Sequence, residues 1–497
     1  MVKESKQRFV LNLKLETELF EENILDKRFE IGRKIYNAVL GKASKRYFEM
    51  TKTNAWRDNQ EELSKIYKSF KGDKKEVNKF CRPYYEVRNN MLKEFRLNEY
   101  SLHEDVKSMQ HIFKDNIDAF AAQKIASRVW TALKDNLFGR GEEIHFKGRN
   151  NPLKSLEGKS NGTGIVYKTD KNILVWNGLN IEVQTNFNDY KVEALRNKIC
   201  FCRVKRKFVR GRYKYILQLV LEGTPPVKVN INTGNVGIDI GTQTIAYTSD
   251  YDIKLLELAP RVQSIENKKR KLQRYMDRSK REINPQNFKV DGTIEKGVRL
   301  QWNYSKKYIK AKNELKDLYR KQADIREQDH NIMANEILKN SNIVYVEEMN
   351  FKGLQRRAKK TETNDKGKFK RKKRFGKSLA NKAPSKFLTI LQNKLKAKGG
   401  VYFEINTREV KASQYNHLNK QYNKKKLSQR WNLFDYKGEE IKVQRDIYSA
   451  YLIKNVNIDL KSVNNEKCSN DFDKFLEMHN KEILRLEVMS NLSSMGI

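Results

Sequence analysis

The sequence is poor in cysteine, histidine, proline and long apolar runs. Its 497 residues include four cysteines, none in C-x-x-C spacing, and six histidines that form no ligand cluster. We therefore expect no Cys/His zinc site. Seven prolines in a chain of this length favour long helices. No run of about 18 apolar residues occurs and the start lacks a signal-peptide core, so we expect a cytoplasmic protein with no membrane partner.

Acidic residues are also scarce relative to basic ones. Lys and Arg number 102 against 61 Asp and Glu, which gives a net charge of +41. Solubility does not require so large a charge, and a field of this size attracts polyanions. Ribosomal and histone-like proteins are comparably basic but are shorter chains, and a membrane surface is a weaker alternative. Nucleic acid is therefore the expected partner.

The first half of the chain changes its hydrophobic period near residue 139. A strand is predicted within residues 5–20, followed by mostly helical periodicity to about residue 138. Short β-rich runs separated by turn residues then continue to Pro225–Pro226. This pattern predicts a small antiparallel barrel that the first strand joins.

The second half alternates strands with long basic helices. The stretch NVGIDIGTQTIAYTSD (235–250) is predicted to form a β-hairpin with DIKLLELAP (252–260). Helices over 260–281 and 303–340, a strand over 342–351 and a further helix and strand follow. The last clear elements are a helix near 443–455 and one amphipathic helix in a polar tail.

Two basic segments are candidates for contacts with a nucleic-acid backbone. One surrounds a turn between two predicted strands, and the other (356–377) lies between the predicted strand at 342–351 and the helix that follows. The candidate residues are Lys205, Arg206, Lys207, Arg210, Arg212, Lys370, Arg371, Lys372, Lys373 and Arg374.

Three carboxylates stand where apolar strands or helices surround them: Asp239, Glu347 and Asp446. A strand buried on both faces should be almost continuously apolar, and an unpaired buried carboxylate costs several kcal/mol. A lone acid of this kind is usually structural, but three in a basic chain indicate a shared divalent cation. Mg²⁺ prefers oxygen ligands, and two such ions about 4 Å apart can drive phosphodiester hydrolysis. We expect two Mg²⁺ ions, for which Mn²⁺ could substitute.

Alternation along the strand assigns the second acid. Glu347 shares a face with Ile343 and Tyr345, whereas the adjacent Glu348 points to the other face. Asp446 stands one helical turn before Ala450, on the packed side of its helix.

The three acid-bearing segments resemble the split motifs of a RuvC-type nuclease of RNase H fold. The segments are GIDIGTQTIA, VYVEEMN and QRDIYSA, and the segment KAPSKFLTILQNKLKAKG (382–399) precedes the third. More specifically, the chain resembles the transposon-associated nuclease TnpB and the related miniature type V CRISPR effectors. The resemblance covers residues 229–455 well and residues 1–228 in outline.

The resemblance implies an α+β multidomain protein. A β-barrel wedge domain (1–20 plus 139–228) would carry a helical recognition insert (21–138). A split RuvC-like nuclease domain (229–405 plus 443–457) would contain a nucleic-acid loading insert (406–442), followed by a tail (458–497).

The implied activity is RNA-guided, Mg²⁺-dependent DNA cleavage. The protein would bind a structured guide RNA, pair it with double-stranded target DNA beside a short flanking motif, and cut with Asp239, Glu347 and Asp446 as metal ligands. Related miniature effectors also place two protein copies, a homodimer, on one guide RNA. The long helical insert favours the CRISPR effector over the transposon protein.

The sequence departs from the family in two places. Asn416 and Asn419 stand where the first C-x-x-C pair of a zinc ribbon would fall, so the loading insert is expected to fold without zinc. The usual D-R-D-x-N-A-A becomes Q-R-D-I-Y-S-A, with Gln444 and Tyr448 in place of Asp and Asn.

Three other functions remain as alternatives. GIDIGTQT also looks like the phosphate loop of actin-like ATPases and sugar kinases, but no second phosphate turn follows and the charge is unusual for a kinase. A non-cutting RNA-guided DNA-binding regulator would be expected to lose one of the acids. A nonspecific RNA-binding scaffold would need none of them.

Overall fold

The chain divides at Pro226 into two units, residues 1–226 and 227–497. The computed structural model describes residues 7–69, 74–139, 141, 143–148, 151–184, 186–226, 230–357, 362–364, 375–426 and 429–488. In that part of the chain, no helix is both long and apolar enough to cross a bilayer.

The described residues of the first unit form six α-helices and seven strands. The strands are β1 (Arg8–Glu16), β2 (Ser155–Glu157), β3 (Val166–Lys168), β4 (Ile173–Trp176), β5 (Leu179–Val183), β6 (Ile199–Val209) and β7 (Arg212–Glu222). The helices are α1 (Leu19–Lys52), α2 (Asn54–Ser69), α3 (Lys74–Glu94), α4 (Glu99–Ile112), α5 (Ala119–Leu137) and α6 (Asp189–Leu195).

The strands of the first unit form one antiparallel sheet in the order β2-β6-β7-β1-β5-β4-β3. The predicted first strand lies at its centre, and its side chains alternate between buried and exposed along the whole length. The buried face packs with α1 in one apolar core that contains Leu13, Phe29 and Leu217. In the described residues β2 and β3 do not pair with each other, so closure into a barrel stays a prediction.

In the part of the second unit that the structure describes, there are nine strands and eight α-helices. The strands are β8 (Asn235–Ile240), β9 (Thr244–Ser249), β10 (Ile253–Glu257), β11 (Ile343–Glu347), β12 (Val401–Ile405), β13 (Tyr415–Asn416), β14 (Gln421–Tyr422), β15 (Trp431–Tyr436) and β16 (Glu439–Gln444). The helices are α7 (Gln263–Ile283), α8 (Lys306–Asn340), α9 (Phe351–Leu354), α10 (Gly376–Lys382), α11 (Pro384–Ala397), α12 (Thr407–Val410), α13 (Arg445–Lys454) and α14 (Asn465–Glu487).

The central sheet of the second unit has the order β10-β9-β8-β11-β12. β8, β9 and β10 form an antiparallel meander, whereas β8, β11 and β12 run parallel. The predicted hairpin between 235–250 and 252–260 is confirmed, because β9 and β10 pair antiparallel. The stretch 235–250 is itself two strands that turn at Gly241, and β10 pairs with β9.

Helices cover both faces of this sheet. Val236, Ile238 and Ile240 of β8 share an apolar cluster with residues of α8 and α11. The other face packs against α13, and α14 adds Phe472 and Phe475 to that cluster. The predicted polar tail therefore contributes a helix to the core of the second unit.

His330 of α8 is a buried neutral imidazole, and it predicts an acid-sensitive fold. Its Nε2 lies 2.9 Å from the carbonyl oxygen of Lys382, and burial lowers its pKa to about 4. The unfolded chain has an imidazole pKa near ~6.5, so between about pH 6.5 and 4 the unfolded state binds more protons. Because of His330, we expect the free energy of unfolding to decrease by about 3 kcal/mol as the pH falls through this window.

Urea denaturation of the wild type and His330→Gln from pH 7 to pH 4 measures this effect. Gln can still donate to the Lys382 carbonyl but does not titrate. The wild-type midpoint should fall faster with acid than that of the variant. Parallel curves would show that His330 does not contribute.

Candidate active site

Two of the predicted acids lie at the carboxyl ends of adjacent parallel strands. β8 and β11 pair with Val346 opposite Ile238, and the same register brings Glu347 beside Asp239 one residue later. Both side chains point to the face opposite the buried residues Ile238 and Val346. Glu348, the neighbour of Glu347, is exposed.

A glycine brings α13 onto this face. A Cβ at Gly237 would lie 2.1 Å from the Ala450 carbonyl oxygen and 2.3 Å from the Lys454 backbone nitrogen. Only a residue without a side chain lets the backbone of α13 cross β8 this closely. Two residues further along the strand, Asp239 faces Ser449 of the same helix.

The third acid, Asp446, lies in the first turn of α13. Gln444 caps this helix, because its Oε1 accepts the backbone N–H of Ile447 at 2.9 Å. The Asp446 carboxylate receives two guanidinium groups. Arg445 donates to Oδ1 at 2.9 and 2.8 Å, and Arg430 lies 3.4 Å from Oδ2.

The pKa values of two of the acids, Asp239 and Glu347, are raised. Burial raises the pKa of Asp239 well above its usual value, and the charges of Asp446 and Glu347 raise it further. Arg445 and Ser449 act in the opposite direction. Burial raises the pKa of Glu347 to about 7, against a stabilising backbone N–H from Ala412. Negative charge is therefore crowded at this edge of the sheet.

The donor set suits Mg²⁺, although the side chains do not enclose a metal position. Carboxylate oxygens are the ligands that Mg²⁺ prefers, and crowded carboxylates are stabilised by a cation. No group of three His, Cys, Asp or Glu side chains in the described residues stands at metal-holding spacing. Asp446 is paired with Arg445 and Arg430, so a metal ion that binds Asp446 would displace these guanidinium groups from its carboxylate.

The two departures from the D-R-D-x-N-A-A pattern have structural explanations. Gln444 is fully buried, caps α13, and donates its backbone N–H to Nε2 of His479 at 3.0 Å. Tyr448 is also buried, and its ring packs against Phe434 with centroids 4.9 Å apart. Both residues hold α13 in place.

Aromatic packing organises the segment that contains Asn416 and Asn419. His417 lies against Phe472 with ring centroids 4.6 Å apart, and its Nδ1 is 2.6 Å from the Tyr448 hydroxyl. Asn416 and Asn419 each accept a backbone N–H two residues ahead, from Leu418 and Gln421 respectively. These asparagines therefore shape turns.

Replacing Tyr448 with Phe should destabilise this segment. The Tyr448 hydroxyl also accepts the backbone N–H of His417 at 3.1 Å, so Phe leaves two buried polar groups unpaired. We expect a loss of about 2 kcal/mol in the free energy of unfolding. Urea denaturation measures it, with Tyr436→Phe as the matched control, because the Tyr436 hydroxyl bonds to Asp473 at an exposed position. Equal losses in the two variants would contradict the role of the buried pair.

The predicted nucleic-acid contacts are placed unevenly. Lys205, Arg206 and Lys207 lie on β6, and Arg210 and Gly211 form the turn to Arg212 with positive φ values. Arg210 and Arg212 are exposed, and Lys205 and Lys207 are half-buried.

Arg206 does not match its predicted role. Its Nε donates to the Leu153 carbonyl at 2.9 Å, and its guanidinium lies 4.5 Å from the ring centroids of Phe29 and Tyr213. The side chain is buried, so this guanidinium is used within the first unit. The other predicted group, Lys370, Arg371, Lys372, Lys373 and Arg374, lies outside the described residues.

Sequence reasoning missed the residues that hold the acids. Arg445 stands inside the QRD motif, but nothing in the pattern shows that it pairs with the next residue. Arg430 and Ala412 come from segments distant in sequence. Gly237 had a readable signal, because a glycine inside a strand often marks a close backbone approach.

Comparison with known proteins gives structural neighbours of low similarity. No family model matches the chain, and no curated protein is significantly similar to it. A Cas12f1–sgRNA–target DNA complex is similar at 11% identity and a TM-score of 0.44, over 91% of this chain and 99% of that chain. A CRISPR–Cas12f ternary complex is similar at 13% identity and a TM-score of 0.26, over 90% of this chain and 99% of that chain.

A Cas12i–crRNA–double-stranded DNA complex gives 11% identity and a TM-score of 0.27, over 93% of this chain and 65% of that chain.

Proposed function

We propose that this protein is an RNA-guided DNA endonuclease with a RuvC-type, RNase H-like nuclease domain. One observation carries the proposal: Asp239 and Glu347 end adjacent parallel strands, and α13 brings Asp446 across them. The motifs that contain these three acids predict such an assembly. Crowding three partly buried carboxylates together is unfavourable without a cation, which supports a cationic ligand for the site.

In this proposal each residue around the acids has a defined task. Asp239, Glu347 and Asp446 hold Mg²⁺, which when bound supplies the Lewis acid for phosphodiester hydrolysis. The Ala412 N–H orients Glu347. Arg445 and Arg430 position Asp446 and compensate its charge before the metal binds.

The basic surface supports nucleic-acid partners for this site. A net charge of +41 suits a guide RNA together with double-stranded target DNA. The first unit, with its antiparallel sheet and helical segment, is proposed to hold the guide–target heteroduplex beside a flanking DNA motif. A homodimer on one guide RNA belongs to the same proposal, as does the choice of a CRISPR effector over a TnpB-like nuclease.

A non-cutting DNA-binding regulator is the second candidate. The observation in its favour is that Asp446 is paired with two arginines and the acids do not enclose a metal position. Mg²⁺-dependent cleavage of a matched DNA separates the two candidates, because only the nuclease cuts it.

The test begins with the RNA that accompanies the protein. The chain is expressed with its native flanking DNA and purified, and the bound RNA is sequenced. We expect one dominant RNA with a constant scaffold and a variable or locus-matched end. DNA that matches this end should be cut in Mg²⁺. A broad mixture of cellular RNA would contradict the guided function.

A further inference from the structure

The second unit contains a charged cleft whose residues are not part of the carboxylate site. It encloses about 740 Å³ and is lined by one face each of α7, α8 and α10. Hydrogen bonds from Lys269 to Gln322 (2.9 Å) and from Gln273 to Tyr319 (2.9 Å) join α7 to α8 across it. We refer to this feature as the α7–α8 cleft.

The lining of the α7–α8 cleft is unusual for a seam between packed helices. Its residues recur at intervals of three and four on both α7 and α8, a spacing at which apolar residues normally bury a helix face. Here the lining contains five cationic side chains and one carboxylate, that of Glu266. Helix packing alone does not require such a charged seam.

The carboxylate is fully engaged at the floor of the cleft. Glu266 lies 3.2 Å from Nζ of Lys269 and 3.0 Å from Nζ of Lys377, and it accepts from Asn381 at 3.3 Å. Gln322 Nε2 donates to the Asn381 side chain at 3.0 Å. This network offsets one of the two lysine charges and joins the three helices around the cavity.

Three arginines remain without a carboxylate. Arg270 and Arg274 are exposed, and neither has an acidic partner in the described residues. Arg326 is held by backbone carbonyls, and its Nη1 donates to the carbonyl oxygen of Ala380 at 2.6 Å. Guanidinium groups bind phosphate oxygens in a bidentate manner, so a cleft lined by three of them is suited to an anion.

An aromatic ring stands beside these arginines. Tyr319 is 46% exposed, its hydroxyl is held by Gln273, and Nζ of Lys269 lies 4.4 Å from the ring centroid. A fixed, partly exposed ring is a surface on which a nucleobase can stack. The lining offers no continuous apolar surface for an acyl chain.

We propose that the α7–α8 cleft binds a nucleotide, with phosphates on Arg270, Arg274 and Arg326 and the base on Tyr319. The nucleotide is either one unit of a single-stranded RNA or a free nucleotide. This site shares no residue with the carboxylate site, so its binding does not depend on DNA cleavage.

Binding of two probes to the full-length chain without divalent metal tests the proposal. The probes are a fluorescent single-stranded RNA of about ten nucleotides and fluorescent ATP. The variant Arg270→Ala/Arg274→Ala should weaken binding of the true ligand about tenfold. The control Lys271→Ala/Arg278→Ala removes the same charge from exposed positions of α7 outside the cleft and should change binding less than about twofold.

A second pair of variants tests the aromatic contact. Tyr319→Ala should weaken binding about tenfold, and Tyr319→Phe should retain it because the ring remains. If the variants lose binding of the RNA probe alone, the ligand is a single-stranded RNA. If they lose binding of ATP, the ligand is a free nucleotide. Equal binding by both arginine variants, or no effect of Tyr319→Ala in a protein with wild-type unfolding behaviour, would overturn the proposal.

Discussion

Asp239→Asn is expected to abolish Mg²⁺-dependent DNA cleavage while leaving guide and target binding nearly unchanged. Asn keeps the size of Asp but removes the charge that a metal requires. We expect the cleavage rate to fall at least about a thousandfold, or roughly 4 kcal/mol of transition-state stabilisation. The dissociation constants of RNA and DNA should stay within about threefold, because a metal ligand acts on the chemical step.

Protein stability distinguishes a catalytic from a structural role for Asp239. The carboxylate is crowded by Glu347 and Asp446, so Asn should leave the urea midpoint unchanged or raise it. Glu348→Gln is the control, since Glu348 is exposed and lies on the other side of the strand from Glu347. Continued cutting by Asp239→Asn, or a loss of activity that tracks a loss of stability, would contradict the assignment.

Gly237→Ala should be the most destabilising single methyl group that can be added to β8. Its Cβ would come within 2.1 Å of a backbone oxygen of α13, and a backbone contact of that kind cannot be relieved by a side-chain rotation. We expect a loss of about 4 kcal/mol in the free energy of unfolding, together with loss of cleavage, because α13 carries Asp446. Urea denaturation monitored by circular dichroism measures the first effect.

Gly241 provides a matched control four residues away. A Cβ there would lie 3.5 Å from the nearest atoms, which is ordinary van der Waals contact. Gly241→Ala should change the free energy of unfolding by less than about 1 kcal/mol. Similar losses at both glycines would show that the approach of α13 to β8 does not limit stability.

The sequence supports the acids and the main elements more strongly than the contacts between them. Period-two and helical patterns predicted β1, the helical segment to residue 138, and the long basic helices. Alternation also separated Glu347 from Glu348 correctly in orientation. These predictions succeed because each depends only on the residues within one element.

The features that sequence reasoning missed depend on contacts between distant segments. The division of 235–250 into β8 and β9 was missed because this one apolar stretch contains two strands and a turn. Burial of Arg206 depends on Leu153 and two aromatic rings, which no local pattern brings together. The α7–α8 cleft requires α7, α8 and α10 to meet, and basic helices alone do not show a cavity.

Binding of Mn²⁺, followed by electron paramagnetic resonance, tests the central claim most directly. Mn²⁺ replaces Mg²⁺ at oxygen sites and reports its own coordination. In the guide- and target-bound protein we predict a spin-coupled Mn²⁺ pair that Glu348→Gln retains and Glu347→Gln loses. Uncoupled, weakly bound Mn²⁺ in the wild type, or the same spectrum from both variants, would contradict a metal site formed by Asp239, Glu347 and Asp446.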